Sequence, residues 1–124
     1  MPVFKELPLV PAERAIKVLG GRWKVFVLYF LFDGPRRLSE LRRLIPGVSQ
    51  KVLVQALREL EEHGIVHREV FAEVPPRVVY SATDLGLTLR PIVGSLCEWG
   101  RLHAAELTGL DEPASAARRR RPSS

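Results

Sequence analysis

A mainly α-helical fold with one small β-hairpin is what this chain predicts, and three observations between Arg36 and Ser81 carry the prediction. Leu38, Leu41, Leu44 and Ile45 mark a short amphipathic helix that Pro46-Gly47, a turn pair, must end. Leu53, Ala56, Leu57 and Leu60 then recur at i, i+3, i+4 and i+7, the buried face of a longer helix. Two strand-favouring runs, Ile65 to Phe71 and Arg77 to Ala82, flank Pro75 and Pro76, which cannot donate to a ladder and belong at a tip or an edge. Helix, turn, helix, hairpin is the order of a winged helix-turn-helix, an α+β fold whose second helix enters the major groove of DNA.

The elements follow in order. Pro11 to Leu19 begins with proline at a first helical position and Glu13 in the first turn, with Ala12, Ala15, Ile16 and Leu19 in helical period. Gly20-Gly21 stops it. Arg22 to Phe32 carries a wide apolar stripe of Trp23, Phe26, Val27, Phe30 and Leu31, and Asp33-Gly34-Pro35 ends it. This is expected to be the central core helix. Ser39 caps the next helix only if that helix starts just after Leu38, and with Arg42 three positions on it lacks a complete capping box. Ser49 caps the longer helix, and Gly64 closes it where a left-handed residue is expected. Thr83, followed by Asp84, caps the last helical pattern, which Pro91 must kink or divide. The organisation expected is one domain over 1–109, with the helix-turn-helix at about 38–63, the wing at about 65–82 and a terminal helix at about 84–108. A disordered basic tail over 110–124 is expected from its Pro-Ala-Ser-Arg composition.

With 124 residues, 46% apolar and 27% charged, the chain has the balance of a globular domain large enough to bury a core. No apolar run approaches the ~20 residues of a membrane span, and no signal-peptide pattern opens the sequence. One cysteine excludes an internal disulfide, and no Cys/His cluster has zinc-ligand spacing. A cytoplasmic location is expected. The net charge of +5 misleads, because Arg118 to Arg121 supply four charges and leave fifteen basic against fourteen acidic residues elsewhere. Distribution is the informative quantity. Six basic residues (Arg36, Arg37, Arg42, Arg43, Lys51, Arg58) and one acid, Glu40, lie between Arg36 and Arg58, and Glu59, Glu61 and Glu62 follow. A local basic cluster on a nearly neutral body suits phosphate contact.

A long terminal helix on so small a domain carries more apolar surface than one core can use. Burial against a partner in a two-fold homodimer is expected, through Leu89, Ile92, Val93, Leu96, Trp99 and Leu102, with the first helix assisting.

The strings PAERAIKVLGGRWK, DGPRRLSELRRLIPGVSQKVLVQALRELEEHGIV, EVPPRVVYSATDLG and LCEWG, in this order and spacing, resemble the HxlR-type bacterial transcription regulators, a winged-helix branch related to MarR regulators. The resemblance spans about Pro11 to Gly100. It implies a homodimer paired through terminal helices that binds an imperfect inverted repeat near a promoter. A repressor is the expected function, though the fold alone serves repression and activation equally. Members that sense oxidants carry a cysteine just before the Pro-x-Glu of the first helix, where this chain has Val10. Cys97 has no lysine or arginine closer in sequence than Arg101 to activate it, and is expected to be an inert core or interface residue.

The longer helix carries a second stripe, Lys51, Val54, Gln55 and Arg58, roughly opposite its buried face. Glutamine and arginine form paired hydrogen bonds with adenine and guanine edges, so Gln55 and Arg58 are the expected base readers, and Val54 suits a thymine methyl. Ser49, Gln50 and Lys51 open the helix, where backbone N–H groups and side chains meet phosphate or base edges. Arg36, Arg37 and Ser39 suit phosphate clamping, whereas Arg42 or Arg43 is open to pairing with Glu40 or Glu61. Arg68 and Arg77 in the wing are placed to contact adjacent backbone or minor groove. The Arg118–Arg121 run either adds affinity independent of sequence or has no role.

An enzyme is not expected: His63, His67 and His103 have no motif around them, and no Gly-rich phosphate loop or paired-carboxylate motif appears. No cofactor or metal is expected. The alternatives kept are a winged-helix module for protein contact alone and a redox sensor using Cys97. An unknown small-molecule effector is a refinement, with a pocket between Trp23, Phe26 and Phe30 and the helix of Trp99 as its place.

Overall fold

A computed structural model of the chain describes residues 11–109; the tail expected over 110–124 and Val10, where oxidant-sensing members carry a cysteine, lie outside them. The helices are α1 (Pro11–Leu19), α2 (Arg22–Leu31), α3 (Leu38–Leu44), α4 (Gln50–Glu62), α5 (Asp84–Leu87) and α6 (Arg90–Leu102), and the strands β1 (Arg36–Arg37), β2 (Val66–Phe71) and β3 (Arg77–Ala82). The chain divides into two compact units, the first reaching to Arg90 and the second starting at Pro91. No helix among the described residues is long and apolar enough to cross a membrane.

The first unit is built around α2, α3 and α4. Val27, Leu28 and Leu31 of α2 are buried with Leu41 of α3, Ile45 and Val48 of the turn, and Leu53, Ala56, Leu57 and Leu60 of α4. The buried face of α4 is the one its periodicity predicts. The α2 stripe is not. Phe26 is 39% exposed and Tyr29 is exposed, Trp23 and Phe30 are half-buried, and Lys24 is buried instead. The inward face runs Lys24, Val27/Leu28, Leu31, and the lysine is tolerated because Glu59 lies 2.6 Å from its Nζ. Buried charges occur where they are paired.

Local chemistry sets the helix ends. The Ser49 hydroxyl accepts from Val52 N–H at 3.2 Å, capping α4. At the other end Gly64 adopts φ +75°, and Ile65 N–H donates to Leu60 O while Gly64 N–H donates to Glu61 O. This is a left-handed helix closure that side chains with a Cβ resist. The cap of α3 corrects the expectation for Ser39: the helix starts at Leu38, so Arg37 is the N-cap and Ser39 sits inside the first turn. Arginine has no acceptor, so only the reciprocal half of a capping box forms, with Arg37 N–H donating to Glu40 at 2.8 Å.

The wing is a three-stranded antiparallel sheet of order β1-β3-β2. β2 pairs with β3 in the register Val66–Ala82 to Phe71–Arg77, and β1 adds Arg36 opposite Tyr80 and Arg37 opposite Val79. Two residues carry no readable period, so the sequence does not predict β1. It places Arg36, Tyr80 and Arg68 in one row across the sheet.

Thr83 caps α5, accepting from Gly86 N–H at 2.9 Å while its hydroxyl donates to Gly64 O at 2.6 Å. The terminal pattern is divided rather than kinked. α5 ends at Leu87, and Pro91 is the second residue of α6, where its missing N–H leaves no helical bond unmade. Arg90, the last residue of the first unit, donates to Phe32 O at 3.2 Å, with Asp33 at 3.6 Å.

In the second unit, Ile92, Leu96, Trp99 and Leu102 form an exposed stripe along α6, and the Trp99 ring lies 4.9 Å from that of His103. Val93 is on another face and only 1% exposed. Leu89 is half-buried. Cys97 is exposed, not part of a core as one of its expected placements had it. The chain beyond Leu102 continues in turns to Gly109.

Candidate nucleic-acid interface

Because α4 buries Leu53, Ala56, Leu57 and Leu60, the 3.6-residue period turns Lys51, Gln55 and Arg58 outward, and all three are exposed. The helix stands as a ridge between two grooves. On the α2 side a groove of about 300 Å³ is lined by Trp23, Lys24, Lys51, Val52, Gln55 and Glu59, among others. On the wing side one of about 490 Å³ lies between Val54, Arg58 and Glu61 of α4 and Arg68, Val78 and Tyr80 of the sheet. Arg58 and Arg68 thus share a groove, which their separation in sequence did not reveal.

Among the described residues no hydrogen bond or ion pair occupies the side chains of Lys51, Arg58 or Arg68. Their charges are turned to solvent. Other basic residues have hydrogen-bond partners within the chain. Arg77 donates to Glu73 through Nε and through Nη2 at 2.9 Å, and its guanidinium stacks 4.0 Å from the Phe71 ring centre. That hydrogen bond holds the Glu73 carboxyl below its usual range and raises the Arg77 pKa. Arg77 therefore braces the wing tip. Arg36 donates Nε–H to Phe30 O at 3.1 Å, which fixes the guanidinium at the root of the sheet. Arg42 pairs with neither of its expected acids; it donates to Gln50 Oε1 at 3.3 Å, linking the two helices across the turn. Arg37, Ser39, Ser49 and Gln50 are exposed around that turn, and Val54 is half-buried on the groove wall.

Sequence reasoning missed the polar chain beneath the ridge. Lys24 Nζ meets Glu59 Oε1, and Gln55 Nε2 donates to Glu59 Oε2 at 2.8 Å. The signal was present in the i, i+3/i+4, i+7 run of Lys24, Val27/Leu28 and Leu31, which the aromatic residues obscured.

A three-stranded wing, a capped outward helix and a supporting helix define the class: a winged-helix transcriptional regulator. The profile of the HxlR-like helix-turn-helix family matches residues 18–107. The chain belongs to that family. It is 53% identical over 90 residues to YkvN of Bacillus subtilis strain 168, named as an uncharacterised HTH-type transcriptional regulator, covering 73% of this chain and 76% of that protein. The redox regulator HypR in its reduced form superposes with a TM-score of 0.76 at 47% identity, over 79% of this chain and 97% of that one. The reduced form of the regulator YodB from B. subtilis gives 0.65 at 38% identity, over 73% and 90%.

Proposed function

We propose that this protein binds double-stranded DNA sequence-specifically as a homodimer, with α4 in the major groove of each half of an inverted repeat, and that occupancy represses transcription. The observation that carries the reading is the ridge of Lys51, Gln55 and Arg58, turned to solvent by a helix whose opposite face is fully used in the core. Helix packing does not require that chemistry; base edges do. Lys51, Gln55, Arg58 and Val54 serve base contact, while Arg36, Arg37, Ser39, Ser49 and Gln50 serve phosphate. Arg68 is the wing's contact and Arg77 its brace. Repression follows from a dimer that covers DNA a polymerase must reach. A protein-only module fits less well, because interface cores are depleted of charge.

The exposure of Cys97 and the redox-regulator names of HypR and YodB favour one second reading, oxidation of Cys97 as a signal. Cys97 lies off the Ile92, Leu96, Trp99 stripe, so that reading needs a contact other than the proposed interface.

A gel-shift titration against DNA flanking the protein's own gene, with scrambled competitor at two salt concentrations, tests the proposal. The expected result is a discrete complex that resists competitor. Binding lost equally to competitor and salt on every fragment overturns it.

A further inference from the structure

We propose that Lys24, which does not face DNA, is a positioning residue that commits Gln55 to reading adenine rather than guanine. The inference rests on the DNA-binding reading above. An exposed glutamine amide ordinarily flips at almost no cost, and either order of its donor and acceptor is then presented. Here Glu59 removes that freedom. Its carboxylate accepts only, with one oxygen held by Lys24 Nζ at 2.6 Å and the other taking an N–H of Gln55 at 2.8 Å. Flipping Gln55 would set its carbonyl oxygen against the carboxylate.

Lys24 is what holds the carboxylate in place. It is 8% exposed, on the inward face of α2. The Glu59 carboxyl lies below its usual range because of the hydrogen bond from Gln55 and then the hydrogen bond and charge of Lys24. With one N–H turned to Glu59, Gln55 presents its oxygen and its remaining N–H. That pair matches the N6–H donor and N7 acceptor of adenine. Guanine offers two acceptors at O6 and N7, and only one N–H is left to meet them.

The test is fluorescence anisotropy of the full chain on the operator found by gel shift, against the same DNA with A·T changed to G·C at the pair where Gln55→Ala loses discrimination. The wild type is expected to prefer adenine by about tenfold, the discrimination of one bidentate contact. Lys24→Met is expected to bring that ratio near unity with the salt slope unchanged, because no phosphate contact is removed. In a Gln55→Ala background it is expected to change nothing further. If Lys24→Met does not fold, Lys24→Met/Glu59→Gln removes both charges together, and is expected to lose the preference equally. A folded variant that keeps the preference overturns the proposal, as does an equal additional loss in the Gln55→Ala background. A wild type that does not distinguish operator from scrambled DNA overturns the DNA-binding reading itself, and the role of Lys24 with it.

Discussion

A methyl group has no room at Gly86. A Cβ there would lie 2.2 Å from the carbonyl oxygen of Ile65, a backbone atom that cannot swing aside, because it accepts from Thr83 N–H at 3.0 Å. Gly86→Ala is therefore expected to destabilise the chain by about 1–3 kcal/mol, the cost of overpacking a fixed site. An unchanged urea midpoint would show that the junction yields. Glu59 makes a second prediction at this scale. Its folded-state pKa is lowered, so the stability it contributes is present above the ordinary carboxylate range and is lost as pH falls through the depressed value. Wild type is expected to lose its advantage over Glu59→Gln across that acid window, in denaturant melts at a series of pH values. A difference independent of pH would mean the pairing with Lys24 and Gln55 contributes nothing. Arg77 is paired with Glu73, whereas Arg58 faces the groove, and base reading is proposed for Arg58. Arg58→Ala is expected to relax specificity at one base pair by about 1–3 kcal/mol, measured as the ratio of affinities for matched and mismatched operators. Equal losses on operator and random DNA would refute base reading by Arg58.

The α4 helix shows what a sequence can and cannot disclose. Its start and stop were readable because they depend on residues a few positions apart: Ser49 reaching Val52, and Gly64 turning the chain for the Ile65 and Leu60 pairing. The loss of the cap in Ser49→Ala is expected to cost about 1 kcal/mol and to fray the end that presents Gln50 and Lys51. Thermal melts would register it, and an unchanged Tm would place the start of the helix under tertiary control. The outward stripe was readable for the same reason, being set by period alone. What stayed hidden depends on contacts between elements distant in sequence. β1 is two residues long and exists only because Tyr80 and Val79 pair with it. Lys24 is buried only because Glu59, on another helix, accepts from it. Propensity and period specify elements; partners across elements decide which charges are turned to solvent.

At the scale of the whole molecule, the apolar surface left uncovered makes the last prediction. α1 buries no residue, with Ile16 64% exposed, and α6 shows Ile92, Leu96, Trp99 and Leu102, with Trp99 58% exposed. Burial of one large apolar side chain yields ~1.5–3 kcal/mol, and a two-fold interface buries each such residue twice. Leaving that stripe in water is therefore unfavourable for a single chain, and the proposed homodimer would cover it with a partner helix. Sedimentation equilibrium is expected to give a dimer for the wild type and a monomer for Leu96→Glu, which sets a charge at the centre of the stripe. Helicity by circular dichroism is expected to hold in that variant, since Leu96 supports no core of its own chain. The same substitution is expected to weaken operator binding by at least about tenfold while leaving the preference at each base intact, because a monomer reads one half-site and loses the linkage between two. A Leu96→Glu protein that remains dimeric would move the interface elsewhere. A wild type that sediments as a monomer yet binds its inverted repeat tightly would mean that DNA, not α6, brings the two copies together.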